Sequence, residues 1–141
     1  MSFLERNTLA FGIVAVAGYG IYLAIVLPAL GTTPVAEIQY MVPMLATIGG
    51  AVFVGIIAGI GLGIAAGGRP VEDERDRRID QLGERVGNAF VVIGALGVIA
   101  LAMLRADPFW IANAMYLAFV LAALLSTATK LVAYRRGVPT W

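Results

Sequence analysis

The sequence predicts an all-α membrane fold, a polytopic four-helix transmembrane bundle, and three observations carry the prediction. Four long uncharged stretches alternate with short polar connections, and each is long enough to cross a ~30 Å hydrocarbon core at roughly 1.5 Å per residue. Of 141 residues, 60% are hydrophobic and 13% charged, and the mean hydropathy of +0.89 lies beyond the range of soluble domains. Most of the charge is concentrated in one run, Glu72-Asp73-Glu74-Arg75-Asp76-Arg77-Arg78-Ile79-Asp80, which cannot enter the bilayer core.

The first apolar run extends from Leu9 to Leu30. It is too long for a signal-peptide core and lacks a small-residue cleavage site, so it is expected to remain as a span. Thr33-Pro34 is a start signal for a helix leading into the second run, Met41 to Ala66, which Pro43 is expected to bend. From Pro70 no breaker occurs before Asp107-Pro108. A charged amphipathic helix over about residues 71–88 therefore continues into a third span over about residues 89–104. The fourth runs from Pro108 to about Val132, with Asp107 as its cap and Pro108 at its first position. Its short connection from Arg105 forces an antiparallel hairpin with the third span. Gly137 followed by Pro139 is its stop signal. The whole of residues 1–141 reads as a single membrane domain.

Arg6, five arginines between Arg69 and Arg85, Lys130, Arg135 and Arg136 lie at one end of these spans, and Arg105 alone at the other. Positive charge is retained on the cytoplasmic side, so both termini are expected there in a multi-pass arrangement. Tyr40 and Trp110 then fall at the outer boundary, with Tyr134 and Trp141 at the inner one.

Composition also excludes chemistry. The chain has no histidine and no cysteine, which removes disulfides, thiol redox reactions and Cys/His zinc sites and leaves haem without its usual ligands. No basic face stands clear of carboxylates, so nucleic acid is not an expected partner. No catalytic constellation and no cofactor motif is present, and the chain reads as non-enzymatic. The central part of every span lacks Asp, Glu and Arg, which weighs against proton-coupled transport and ion pumping.

Three sets of residues stand out. Ala51, Gly55, Gly59, Gly63 and Gly67 recur every four positions in the second span, forming a groove suited to close helix packing in lipid. Ala114, Ala118, Ala122 and Ser126 make a matching series in the fourth span, and Gly83, Gly87 and Gly94 share one side of the third. These strips serve either packing within one chain or a homo-oligomer interface through Gly55, Gly59, Gly63 and Gly67. In the charged helix, Asp73, Asp76, Asp80 and Glu84 share one face, with Ile79, Leu82, Val86 and Phe90 roughly opposite and Arg75, Arg78 and Arg85 bordering them. That helix is a solvated element, a docking face for a cytoplasmic protein or second copy, or a carboxylate site for a divalent cation. Glu74 and Arg78 form a favourable i,i+4 pair. Finally, Tyr22, Thr47, Asn113 and Tyr116 lie in the outer half of the spans and are expected either to hydrogen-bond between helices or to line a small polar cavity.

The stretch Asp73-Glu74-Arg75-Asp76-Arg77-Arg78-Ile79 before a glycine-bearing helix resembles a family of uncharacterised four-span prokaryotic membrane proteins with a DER(D/E)xxI-like motif before the third span. The Pro108-Phe109-Trp110-Ile111 start of the last span and its Lys130 to Arg136 exit are also similar. The resemblance covers the second half of the chain and implies a prokaryotic inner membrane and a cytoplasmic regulatory partner, but no activity.

The sequence thus points to a bilayer protein that self-associates through its glycine strips and presents a charged cytoplasmic helix to a partner. Asp73, Arg75, Asp76, Arg78, Ile79, Asp80 and Leu82 are the candidate contact residues. The competing expectation is a small oligomeric channel or transporter whose path passes Tyr22, Thr47, Asn113 and Tyr116.

Overall fold

The computed structural model describes residues 3–65, 67 and 74–137, the side chains of residues 3 and 4 excepted; Arg69, Pro70, Glu72, Asp73, Pro139 and Trp141 lie outside these described residues. Four helices follow one another: α1 (Phe3–Leu30), α2 (Met41–Ala65), α3 (Glu74–Met103) and α4 (Pro108–Arg136). All four are long and apolar enough to cross a membrane. The fold is an all-α four-helix bundle of a multi-pass membrane protein. Helix α1 starts at Phe3 rather than at Leu9, because Glu5 in its first turn favours the positive end of the helix dipole and lets the polar residues join the helix.

The link from α1 to α2 departs from expectation. After Pro34 there is only a single 3-10 turn, Val35–Glu37, and Ile38 turns extended at φ −70°, ψ 126°. Burial decides this, since Ile38 is drawn into an apolar cluster with Tyr22, Val26 and Phe109. A continuous helix would carry it elsewhere. Nor does Pro43 sit mid-helix. It falls in the first turn of α2, where Met44 N–H already bonds the Tyr40 carbonyl at 2.9 Å and an absent N–H costs nothing.

Helix α3 has 30 residues, about 45 Å at 1.5 Å each, so its charged first part extends past the ~30 Å core. It ends at Met103, before the Asp107-Pro108 breaker. Arg105 adopts a left-handed φ of 57°, and the Ala106 and Arg105 N–H groups bond the Leu101 and Ala102 carbonyls at 3.0 and 3.1 Å. This is a Schellman stop carried by a non-glycine residue. The next helix begins as expected, with the Asp107 carboxylate accepting from Phe109 N–H at 3.0 Å, and α4 ends on Gly137 at φ 90°.

Helix α3 lies along α4, α4 along α1, and α1 along α2, so α1 and α4 are central and α2 and α3 flank them. Small residues set these contacts. Gly94 meets Ala118, Gly87 meets Ala122 and Ser126, and Gly12 faces Thr127, whose methyl would lie 2.7 Å from a Cβ on residue 12. Gly87 and Gly94 of α3 and Ala118, Ala122 and Ser126 of α4 therefore serve packing within the chain. Large apolar side chains such as Ile56, Ile60 and Ile64 remain exposed, as lipid-facing groups do where packing, not expulsion of water, holds helices together.

Candidate functional site

Two polar clusters lie at opposite ends of the bundle. The one near the α3–α4 turn is neutral. Tyr22 donates to Asn113 Oδ1 at 2.5 Å, and Asn113 Nδ2 donates to the Phe109 carbonyl at 2.7 Å. Thr47 Oγ1 lies 2.8 Å from the Pro43 carbonyl and 3.0 Å from the Tyr116 hydroxyl. A threonine hydroxyl has one proton. Thr47 gives it to the carbonyl and receives that of Tyr116. Tyr19, Tyr22 and Tyr116 add a ring triad with centroids 5.0 to 6.2 Å apart. All four residues expected in this region do meet, joining α1, α2 and α4. Tyr22 is wholly buried, Tyr116 nearly so, and their hydroxyls engage Asn113 and Thr47. In hydrocarbon the alternative is an unpaired polar group, so this pairing is favoured.

The other cluster lies at the basic end, where α1 and α3 start and α4 finishes. Here the charged half of α3 is fastened to α4. Lys130 Nζ lies 2.7 Å from Asp80 and 3.5 Å from Glu84, and its side chain is only 14% exposed. Its stem crosses Gly83, where any Cβ would collide with it. Arg75 donates to the Tyr134 carbonyl at 2.8 Å, Arg78 pairs with Glu74 at 2.7 Å, and Arg135 approaches Glu5 at 3.9 Å. Ile79 has no exposed surface and Leu82 is half-buried. This corrects Ile79 as a docking contact, because it shares a helix face with Gly83 and Gly87, the face that α4 covers. Asp73 lies outside the described residues.

Between α1, α3 and α4 this end opens into a cavity of about 340 Å³, lined by residues that include Asn7, Phe11, Asp76, Asp80, Glu84 and Lys130. Ser126, Thr127 and Tyr134 add hydroxyls to its wall. The Oδ1 of Asn7 is buried and has no hydrogen-bond partner among the described residues. Among the described residues, no group of three or more acidic side chains converges closely enough to hold a metal ion. Two members of the carboxylate face, Asp80 and Glu84, are engaged by Lys130.

The glycine strip of α2 is divided. Gly55 is buried under the Phe11 ring, Gly59 backs onto the Asn7 amide oxygen, and Ala51 meets Gly18. Gly63 and Gly67 have no such neighbour within 4 Å among the described residues. The first two therefore serve the α1–α2 contact and are not free for a second copy.

Asn7 was not legible as a site residue, nor was the pairing of Lys130 with Asp80 and Glu84. One signal existed: Lys130 is the only lysine among ten basic residues. A slender methylene stem fits across a glycine where a planar guanidinium would not. No family model, curated protein or solved structure matches this chain.

Proposed function

We propose that this chain is a non-enzymatic protein of a prokaryotic inner membrane, with both termini cytoplasmic, that holds a charged helix rigidly at the membrane surface for an acidic segment of a cytoplasmic partner. One observation carries the reading. Helix α3 is anchored on one side by Ile79, Gly83 and the Lys130 ion pairs, while Arg77, Arg78, Gln81 and Arg85 lie exposed on the other. Those four positions fall within about 100° of helix circumference. Three arginines against the single carboxylate of Glu74 leave that face basic, and a fixed helix presents them without the ordering cost of a flexible tail. The excess of Lys and Arg at this end supports its placement in the cytoplasm. The likeness of the Asp73-to-Ile79 stretch to four-span prokaryotic proteins agrees with that setting. Self-association, in this reading, uses the Gly63 and Gly67 end of the α2 strip, since Gly55 and Gly59 are covered by α1.

A channel or transporter path is less well supported, because the hydroxyls and amide that would line it are engaged with one another. The decisive experiment reverses Arg77 and Arg85, neither of which has an ion pair among the described residues. Arg77→Glu/Arg85→Glu should leave the unfolding temperature unchanged and abolish site-specific crosslinks from position 81 to a cytoplasmic protein. Crosslinks that persist unchanged would reject the basic face as the contact. Robust solute flux through liposomes, lost in Asn113→Ala, would favour the path instead.

A further inference from the structure

We propose that the outer face of α3, where the helix enters the bilayer, holds the phosphate of an anionic phospholipid. The uncharged part of α3, from Ala89 to the turn at Leu104, measures only about 24 Å at 1.5 Å per residue. A hydrocarbon core of ~30 Å therefore takes in Asn88 and brings Arg85 to its boundary, and any tilt draws both further in. Gln81 lies one turn beyond. The three fall within about 60° of helix circumference, on the side turned away from Gly83 and Gly87, which α4 covers. All three are exposed, and among the described residues their side chains make no hydrogen bond or ion pair. A polar side chain at membrane depth ordinarily faces the bundle interior and finds its partner there. Asn88 faces outward, so its partner comes from outside the chain.

Chemistry selects that partner. The Arg85 guanidinium and the two amide NH2 groups are donors, and phosphodiester oxygens accept from them while bringing the negative charge that Arg85 needs. The nearby carboxylates do not bring it: Glu84 lies 3.5 Å from Lys130, and Glu74 pairs with Arg78 at 2.7 Å. Into the bilayer the same face continues as Val92, Leu96 and Ile99, all exposed and about one turn apart. That apolar track receives an acyl chain below the phosphate, an order that matches a phospholipid and not a free anion. A zwitterionic lipid would add its own ammonium beside Arg85. A second copy fits less well, since two-fold pairing of this face within one membrane sets each Arg85 against the other at the same depth.

This site goes beyond the partner reading and does not rest on it, because Asn88 lies too deep for a soluble protein and Arg77 stands about 12 Å farther out than Arg85. The test is native mass spectrometry of the full-length protein, released from micelles that hold phosphatidylglycerol and phosphatidylethanolamine in equal amounts. Phosphatidylglycerol should be retained in preference, and excess inorganic phosphate should not displace it. Arg85→Gln should weaken retention about tenfold, the scale of one hydrogen bond to a charged group. Asn88→Leu, whose side chain suits a lipid-facing position, should weaken it similarly with the fold intact. Arg77→Gln removes the same charge farther out and should leave retention unchanged, which separates this result from that of the partner experiment. Equal retention of both lipids, displacement by inorganic phosphate, or unaltered retention in folded Arg85→Gln and Asn88→Leu would overturn the proposal. So would an equal loss in Arg77→Gln, or disulfide crosslinks between copies through Asn88→Cys, in a chain with no other cysteine.

Discussion

Lys130 lies across Gly83 so closely that a Cβ at position 83 would stand 2.5 Å from the lysine Cγ, and this contact places the ammonium between Asp80 and Glu84. The same relation between small and large residues repeats up the α3–α4 seam, ending where Gly94 meets the Ala118 methyl. The two glycines differ in what opposes them. Lys130 is a flexible side chain that can swing away, whereas the Ala118 methyl is fixed to its backbone.

That difference predicts unequal costs. Gly83→Ala should displace the lysine and lose an ion pair whose carboxylates are more than half exposed, about 1 kcal/mol or less. Gly94→Ala must push two helices apart, at about 1–3 kcal/mol. Reversible unfolding of both variants in mixed micelles checks the order. Equal destabilisation would show that the seam does not depend on the close approach at Gly94.

The Tyr22–Asn113 and Tyr116–Thr47 bonds are also unequal. Tyr22→Phe leaves Asn113 Oδ1 without its donor inside the bundle, and should cost about 0.6–1.7 kcal/mol, the range for interhelical hydrogen bonds in membranes. Tyr116→Phe should cost less, because Thr47 keeps its bond to the Pro43 carbonyl. Unfolding measurements on the two single variants, with the rings of the triad retained, separate these outcomes.

Arg105 holds a conformation that suits glycine. A non-glycine residue in the left-handed region is strained by about 1–2 kcal/mol, partly offset by the smaller unfolded-state entropy of a residue with a Cβ. Arg105→Gly should therefore stabilise the hairpin by about 0.5 kcal/mol. Arg105→Val, branched at Cβ, should destabilise it. Thermal unfolding in detergent gives both signs.

Gly59 offers a way to satisfy Asn7. A Cβ there would sit 3.7 Å from the Asn7 Oδ1, an ordinary contact distance, and a serine hydroxyl could donate to that oxygen. Gly59→Ser should then be more stable than Gly59→Ala by about 0.5–1 kcal/mol. If the two variants unfold together, the oxygen finds a donor by another route.

Hydropathy and charge placement alone determined that four helices span a bilayer and that one of them, α3, continues beyond it. Those properties follow from the length of uncharged chain and from the cost of burying charge, and they act locally along the sequence. Local rules also marked the Asp107 cap and the Gly137 stop. The break after Pro34 was not legible, because nothing near Ile38 announces that the apolar cluster around Tyr22 will capture it. Nor was the partner of each glycine. A helix face repeats its small residues with the same period whether it meets its own chain or another, so Gly55 and Gly59 could not be told apart from Gly63 before α1 was seen to cover them. The charged helix had the same ambiguity: Ile79 on a face reads as a docking anchor until α4 is found against it. Only the tertiary arrangement decided which face each helix turned inward, because in lipid those choices rest on fit between particular surfaces rather than on hydrophobicity, which every face of the spans shares.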